Sequence, residues 1–351
     1  MELKNRLGKE IILFDGAMGT VLQQRGLKAG DVPEKLNIEK SEEIIDIHKS
    51  YLKAGSEIIT TNTFGANNIK LKEIDYTVKE VINAAVKNAK TARKESRKKA
   101  AIALDLGPLG EMLEPIGSLT FKEAYNLYQE QILTGVNSGV DLIHIETIAD
   151  LNEARAAVLA AKENTDLPVF CTLTFEENGR TFTGTSIHSM ISVLEGLGVD
   201  GIGLNCSLGP EKLEPLVEEV LKYSETPVIL QANAGLPVVK DGGTVFKISP
   251  EEYFKPLNRL YQKGLAVVGG CCGTNEEFIS LIAEKLKNKK VKEREIIKES
   301  LVCSPSQSVN LEGVNVVGER INPTGKAVFK EALRNGDLDY ILKVAVEEVD
   351  A

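Results

Sequence analysis

Short hydrophobic runs alternate with longer amphipathic segments along most of the chain. Eight runs rich in Val, Ile and Leu predict strands at residues 11–15, 58–63, 101–106, 142–146, 169–175, 201–206, 228–232 and 265–269. Apolar residues at helical spacing predict helices at residues 41–48, 76–96, 120–138, 150–164, 189–197, 210–224 and 275–287. Near-continuous apolar strands that alternate with helices are typical of a parallel sheet buried on both faces.

Eight strand–helix units in succession predict an α/β fold, a closed (β/α)8 TIM barrel, over residues 1–286. The alternative is an open, doubly wound sheet, which normally carries a glycine-rich dinucleotide-binding turn after its first strand. Here the first strand ends in Asp15-Gly-Ala-Met-Gly-Thr20, which lacks the G-x-G-x-x-G spacing. The barrel is therefore the favoured architecture.

The composition changes after residue 286. Residues 285–295 form a charge run interrupted by acidic side chains, which is typical of a solvated segment, so we expect a linker at residues 287–308. An apolar run at residues 314–317 predicts a new strand, followed by helical segments. Because about forty residues cannot bury a core of their own, residues 309–351 are expected to be the incomplete start of a second α/β domain.

Charge and cysteine content narrow the function. The net charge is −9, and nucleic-acid-binding chains usually carry a basic face, so no nucleic-acid partner is expected. The first residues lack the apolar core and cleavage site of a secretion signal, and no apolar window is long enough for a membrane span. Five cysteines, an odd count, favour a reducing cytoplasm.

Three of the five cysteines fall at predicted strand ends, where TIM barrels place their catalytic side chains. Cys206 ends the sixth strand, and Cys271 and Cys272 follow the eighth. These strands are next-nearest neighbours in a barrel, and glycines around the vicinal pair allow both sulfurs to turn toward one ion. Three cysteines with an open fourth position predict a catalytic zinc site, because structural zinc sites use four protein ligands.

Other interpretations compete with catalytic zinc. We expect Cys171, in mid-strand, to be a buried packing residue, and Cys303 to be an incidental thiol. No paired C-x2-C knuckles support a zinc finger, and His144-Ile-Glu146 lacks the P-C-x-x-C partner of zinc deaminases. Three other functions stay open: a phosphate-binding barrel enzyme that uses the glycine-rich turn after strand eight, a Cys271–Cys272 redox pair, and a structural zinc domain.

Five motifs resemble the homocysteine S-methyltransferase family over roughly residues 1–290. They are Asp15-Gly-Ala-Met-Gly-Thr20, Thr60-Thr-Asn-Thr-Phe64, Gly203-Leu-Asn-Cys206, Asn233-Ala-Gly235 and Gly269-Gly-Cys-Cys-Gly-Thr274. A further segment, Gly318-Glu-Arg-Ile-Asn-Pro-Thr-Gly325, is similar to the start of the pterin-binding domain of cobalamin-dependent methionine synthases. In this order the two resemblances indicate the N-terminal part of such an enzyme rather than a stand-alone methyltransferase.

The family resemblance implies roles for eleven residues. It implies that three residues are zinc thiolates, Cys206, Cys271 and Cys272, and that Asp15 and Glu146 hold the amino group of homocysteine. It implies that backbone N–H groups of Ala17, Met18 and Gly19 take the substrate carboxylate and that Asn233 completes the zinc shell without substrate. Glu319 and Asn322 would belong to the folate site.

The resemblance also implies a reaction. Zn²⁺ would hold homocysteine as its thiolate, which would accept a methyl group from methylcobalamin to give methionine. Methylcobalamin would be recharged by 5-methyltetrahydrofolate, so the implied partners are the folate and cobalamin domains of the same enzyme.

Overall fold

The computed structural model describes residues 2–28, 30–240 and 243–351. The chain forms two compact units, the first ending at Val309 and the second spanning Asn310–Ala351. Among the described residues, no helix combines the length and the apolarity needed to cross a membrane.

The first unit contains eleven strands in three sheets within its described part. In chain order they are β1 (Ile12–Leu13), β2 (Ile58–Thr60), β3 (Ala101–Leu106), β4 (Leu142–Ile148), β5 (Val169–Leu173), β6 (Gly201–Asn205), β7 (Val228–Ala232), β8 (Val238–Lys240), β9 (Gly243–Val245), β10 (Val267–Gly270) and β11 (Leu301–Cys303). The strands β8 and β9 form a separate antiparallel hairpin, and β11 pairs with β12 (Ser308–Asn310).

Helices separate the strands of the barrel. They are α1 (Glu2–Arg6), α2 (Gly19–Gln24), α3 (Leu36–Glu39), α4 (Ser41–Ala54), α5 (Val78–Ser96), α6 (Phe121–Ser138), α7 (Leu151–Asn164), α8 (Ile187–Gly196), α9 (Pro210–Tyr223), α10 (Pro250–Gln262) and α11 (Glu276–Leu286), with 3-10 turns at Pro33–Lys35 and Lys70–Glu73. A capping box of Thr120 and Glu123 forms at the start of α6, and such caps contribute about 1 kcal/mol each.

Eight strands run parallel in the order β1-β10-β7-β6-β5-β4-β3-β2, so the predicted TIM barrel is confirmed. Its two end strands meet through the Glu57 N–H, which donates to the Leu13 carbonyl at 2.8 Å. The next contact at this seam is made by a side chain, because the Thr60 N–H donates to Asp15 Oδ2 at 2.8 Å. Because the Asp15 side chain accepts this bond in place of a backbone carbonyl, β1 and β2 are shorter than the predicted strands.

Two apolar layers hold the barrel together. The larger layer lies between the sheet and the helices and includes Ile44, Val81, Ile132 and Leu257, all fully buried. The smaller one fills the lower barrel interior with Ile12, Phe14, Ile58, Ala103, Leu142, Phe170, Ile229, Ala266 and Val267. Because this smaller layer is apolar, polar side chains of the barrel interior lie at the carboxyl ends of the strands.

Two features of the first unit are absent from the sequence prediction. The helix α10 begins with a capping box of Ser249 and Glu252, a signal that the sequence contains. The hairpin of β8 and β9 is a second addition between β7 and that helix. The helix α10 connects β7 to β10 and completes the eight strand–helix units, while the hairpin lengthens the loop between β7 and α10.

The second unit consists of two helices, α12 (Ala327–Asn335) and α13 (Leu338–Val349). The prediction of a strand at residues 314–317 is wrong, since these residues have no strand pairing. Val314 is 98% exposed and Val316 is 95% exposed. A strand requires a neighbouring strand to accept its N–H groups, and the described residues of this unit supply none for this segment.

Candidate active site

A cavity of about 680 Å³ lies where the strands of the barrel end. Its walls include five predicted site residues with acidic or thiol side chains, Asp15, Glu146, Cys206, Cys271 and Cys272, together with Ala17, Met18 and Gly19. Asp105 from β3 also lines the cavity and was not among the predicted site residues. The structure therefore places predicted metal ligands and predicted substrate ligands on one cavity.

The three cysteines from two strand ends meet, with all Sγ atoms within 4.8 Å of one another. Cys206 directly follows β6 in a left-handed conformation, φ 60°, which turns its side chain away from the strand alternation. Backbone bonds fix the other two, because the Cys271 N–H donates to the Ala232 carbonyl and the Cys272 carbonyl accepts from Ala234. The vicinal pair can share one ion because the strand has already ended at Gly270.

Electrostatics oppose three ionised sulfurs in the protein alone. Hydrogen bonds from the thiols of Cys271 and Cys272 lower the pKa of Cys206 to about 3. The same hydrogen bonds to Cys206 raise the pKa of Cys271 and raise that of Cys272 to about 12. The cluster therefore favours one thiolate and opposes a second or third. A bound divalent cation would allow all three thiols to ionise.

The donor set fits a zinc ion. Zinc–sulfur bonds of about 2.3 Å in a tetrahedron separate the sulfurs by roughly 3.8 Å, which sulfurs within 4.8 Å of one another can satisfy with small movements. Asn233 contacts Cys206 by a side-chain hydrogen bond. Its Oδ1 is buried and has no hydrogen-bond partner among the described residues, and its role as a fourth zinc ligand stays a prediction.

Two carboxylates lie on the same cavity, the buried Asp15 and the half-buried Glu146. Asp15 accepts from the N–H and the hydroxyl of Thr60, at 2.8 Å and 3.1 Å. Burial raises the pKa of Asp15 to about 8, against the lowering effect of these hydrogen bonds. Burial likewise raises the pKa of Glu146 to about 7. Among the described residues, neither carboxyl has a salt-bridge partner that would favour its charged form.

The predicted carboxylate-binding turn lies between β1 and α2. The Ala17 N–H donates to Thr274 Oγ1 at 3.3 Å, while the Ala17 carbonyl accepts from the Tyr51 hydroxyl at 2.7 Å. Met18 and Gly19 begin α2, and N–H groups in a first helical turn have no acceptor within the helix. Of the three predicted N–H groups, these two are the better placed for an anion.

Asn205 is the residue whose importance the sequence did not reveal. Its Nδ2 donates to Glu146 Oε2 at 2.6 Å and to Thr147 Oγ1 at 2.7 Å. Its Oδ1 accepts from the Thr147 N–H at 2.8 Å and from the Thr172 hydroxyl at 2.7 Å. Thr147 has a left-handed φ of 59°, so Asn205 holds both the carboxylate and the strained backbone beside it.

Replacing Asn205 should weaken substrate binding while leaving the three cysteines in place. We expect Asn205→Ala to lower homocysteine affinity about tenfold, because Glu146 loses a charge-assisted donor and two donors, the Thr147 N–H and the buried Thr172 hydroxyl, lose their acceptor. Titration calorimetry measures the affinity, and zinc per chain should stay at the wild-type value. An unchanged affinity in Asn205→Ala would show that Glu146 needs no such support.

The remaining predicted residues fall elsewhere. Cys171 is fully buried in β5, as expected for a packing residue, and burial raises its pKa. Glu319 and Asn322 belong to the second unit, where Glu319 pairs with Lys326 at 3.2 Å and Asn322 Oδ1 accepts from the Thr324 N–H. Their folate role stays a prediction.

The turn after β10 is a poor phosphate site, because four of the five N–H groups of Gly270–Thr274 already have hydrogen-bond acceptors. Gly270, Cys271 and Thr274 donate to backbone carbonyls, and Gly273 donates to Thr20 Oγ1 at 3.2 Å. A phosphate loop requires free N–H groups that point at the ligand. The geometry therefore favours the cysteines over the backbone as the chemistry of this turn.

Comparison with known proteins decides the family. The profile described as "Homocysteine S-methyltransferase" matches residues 12–286. The chain belongs to this family. It is 31% identical to the methionine synthase of Mycobacterium tuberculosis and 30% identical to that of Mycobacterium leprae. Each match covers 99% of this chain and 31% of the relative, so the chain spans about a third of the length of these relatives.

Solved structures of the family support the fold. The homocysteine methyltransferase MmuM from Escherichia coli matches in its oxidized form with a TM-score of 0.68 and 21% identity. Its metallated form matches with a TM-score of 0.67 and 20% identity. The matches cover 78% and 79% of this chain and 96% of MmuM. The two proteins share the TIM barrel.

Proposed function

We propose that this barrel is the zinc-dependent module that activates homocysteine in a methionine synthase. The observation that carries the proposal is the meeting of Cys206, Cys271 and Cys272 within 4.8 Å, on a cavity that also presents buried carboxylates. A ligand with both a thiol and an ammonium group matches the cysteines and the carboxylates of this cavity. Family membership supports the same substrate class.

The residues divide the work between the two ends of the substrate. Cys206, Cys271 and Cys272 would hold Zn²⁺, with Asn233 as the fourth ligand in the absence of substrate. Bound zinc would lower the pKa of the homocysteine thiol and so keep its sulfur in the nucleophilic thiolate form. Asp15 and Glu146 bind the ammonium group.

The substrate carboxylate has a separate place in the proposal. The backbone N–H groups of the turn at Ala17, Met18 and Gly19 bind it, as helix N-termini and turns suit anions. Charges of both signs are thus matched along the substrate, which fixes the direction of its side chain toward the cysteines.

The methyl donor in the proposal is methylcobalamin, recharged by 5-methyltetrahydrofolate on other domains of the same enzyme. Support comes from the relatives described as methionine synthases and from the segment Gly318–Gly325, which includes Glu319 and Asn322 as candidate folate ligands. Methionine formation from homocysteine and added methylcobalamin, dependent on zinc, is the corresponding activity assay.

X-ray absorption at the zinc edge tests the central claim. The zinc-loaded chain should show three sulfur neighbours and one oxygen or nitrogen, and homocysteine should convert this to four sulfurs. Methionine, which has no ionisable thiol, is the control ligand and should leave the spectrum unchanged. Four sulfurs before homocysteine is added, or three after saturation, would contradict the proposal.

Homocysteine binding should strengthen as the pH rises. The pKa of Asp15 is raised to about 8 and that of Glu146 to about 7 by burial, so both are largely protonated at pH 6 and ionise above it. Binding an ammonium requires the ionised forms, so affinity should increase about tenfold or more from pH 6 to pH 8.

Proton release distinguishes the carboxyls from the substrate thiol in this pH dependence. Calorimetry at pH 6.5 in buffers of different ionisation enthalpy should count more than one proton released per homocysteine, one from the thiol and the rest from the carboxyls. Asp15→Asn should release fewer. Equal proton counts in both proteins would contradict a role for Asp15 in the pH dependence.

A further inference from the structure

A third carboxylate faces the cavity beside the two already assigned. Asp105 lies on β3, is 6% exposed and lines the same cavity as Asp15 and Glu146. Its Oδ1 is buried and has no hydrogen-bond partner in the described part of the chain. Nothing in the zinc site or the carboxylate-binding turn uses this atom.

Asp105 belongs to a compact cluster at the strand ends. One ligand atom each from Asp105, His144 and Glu146 lie within 4.8 Å of one another. The register explains this, because Asp105 pairs with His144 across β3 and β4, and Glu146 follows two residues later on the same face. His144 is fully buried, does not line the cavity and has no hydrogen-bond partner for either nitrogen among the described residues.

Carboxyl groups outnumber basic side chains on the cavity wall, which carries six of them, Asp15, Asp31, Glu34, Glu73, Asp105 and Glu146, against Lys70 and Lys72. Lys70 attracts Asp105 electrostatically, but within residues 2–28, 30–240 and 243–351 no Lys, Arg or His nitrogen forms an ion pair within 4.0 Å of Asp15, Asp105 or Glu146. Burial raises the pKa of all three carboxyls. Buried carboxylates normally have a cation or several donors to offset desolvation, so a cationic group on the ligand would stabilise their ionised forms.

An ammonium group suits this wall in number as well as in charge. It has three N–H donors and no acceptor, and three carboxylates from β3, β4 and the end of β1 face one cavity. Both oxygens of Asp15 accept from Thr60, and Glu146 Oε2 accepts from Asn205. The Asp105 carboxyl shares a hydrogen bond with Glu146, while its Oδ1 has no partner among the described residues and can accept from a ligand.

We propose that Asp105 is a substrate-binding residue that accepts a hydrogen bond from the ammonium of the amino-acid thiol and makes the site select against thiols that lack an amino group. The inference rests on the proposed function, since it concerns the same substrate. It adds a specificity determinant to Asp15 and Glu146. The ligand class is an α-amino acid with a terminal thiol.

Two ligands that differ by the amino group test the inference. Homocysteine and 4-mercaptobutanoate share the thiol, the chain length and the carboxylate. Calorimetry on the zinc-loaded wild-type chain should give about 100-fold tighter binding for homocysteine, because a buried charged hydrogen-bond network loses its donor with the other ligand. A wild-type ratio below tenfold would overturn the inference without any variant.

The variant Asp105→Asn should then reduce this ratio at least tenfold, by weakening homocysteine and leaving 4-mercaptobutanoate within about twofold of its wild-type affinity. Asp31→Asn is the matched control, because Asp31 lines the same cavity but is paired with Lys35 at 3.6 Å. Its ratio should equal that of the wild type. Asp105→Ser carries the same test if Asp105→Asn does not fold.

The outcomes separate the two proposals. If the ratio of the two affinities is unchanged in Asp105→Asn, or both ligands lose affinity equally, the role of Asp105 is overturned. Four sulfur neighbours at zinc in the presence of homocysteine would still support the proposed function. Two divalent ions per chain, one of them lost in Asp105→Asn, would make the Asp105–His144–Glu146 cluster a metal site instead. Failure of saturating homocysteine to add a sulfur at zinc would overturn both proposals.

Discussion

Zinc binding should fall by at least about 100-fold when Cys206 or Cys271 is replaced by serine, because a thiolate ligand is lost and metal affinity depends on ligand type and count. Homocysteine binding should fall with it, since the thiolate form of the substrate depends on the metal. Zinc per chain, competition with a chromophoric chelator, and homocysteine calorimetry measure the two losses.

Cys303→Ser is the matched control for these variants. Cys303 is a free, half-buried cysteine on β11, distant in sequence from the site motifs and outside the cluster of three. It should retain full zinc content and full homocysteine affinity. Retention of one zinc per chain in Cys206→Ser, with wild-type homocysteine affinity, would remove the basis of the proposed function.

The proposed metal site and the proposed ammonium site lie on one cavity, which would let both act on a small substrate. The cysteines follow β6 and β10, while the carboxylates lie at the ends of β3, of β4 and of β1, which pairs with β10. A barrel brings these ends together at one mouth. In the proposal, the substrate sulfur faces the cysteines and its ammonium group faces the carboxylates.

The barrel could be predicted because its signal is repeated. Each strand–helix unit carries its own apolar periodicity, and errors at single elements do not change the architecture. The shortening of β1 could not be predicted, because it depends on the Asp15 carboxylate taking a bond that a backbone carbonyl would otherwise accept. The segment at residues 314–317 has the apolar pattern of a strand but no partner strand, which local pattern cannot reveal.

The sequence could predict site residues whose positions follow from the strand ends. It could not predict contacts that depend on the pairing register of two strands. Cys206, Cys271 and Cys272 stand at strand ends whose positions follow from the apolar runs. Asn205 and Asp105 gain their roles from neighbours in other strands, such as Thr147 and His144. Which residues face each other across two strands depends on register, which a single sequence does not specify.

Gly203 connects the fold to the site, and its replacement should damage both. A Cβ added there would lie 1.9 Å from the Ile229 carbonyl oxygen of β7 and 2.7 Å from its carbon, so backbone atoms would have to move. Gly203 and Ile229 are paired in the register, and the Cys206 N–H donates to the Gln231 carbonyl at 3.0 Å further along the same two strands. We expect Gly203→Ala to lower the free energy of unfolding by about 3 kcal/mol.

Separation of β6 from β7 should also move Cys206 away from the pair that follows β10, so zinc affinity should fall in Gly203→Ala although every ligand is present. Gly196→Ala is the control, because a Cβ at this end of α8 meets nothing within 4 Å; it should gain up to about 1 kcal/mol from the lower entropy of alanine. Denaturant unfolding and chelator competition measure both effects. If Gly203→Ala matched Gly196→Ala in stability and zinc affinity, close approach of these strands would not be what assembles the three sulfurs.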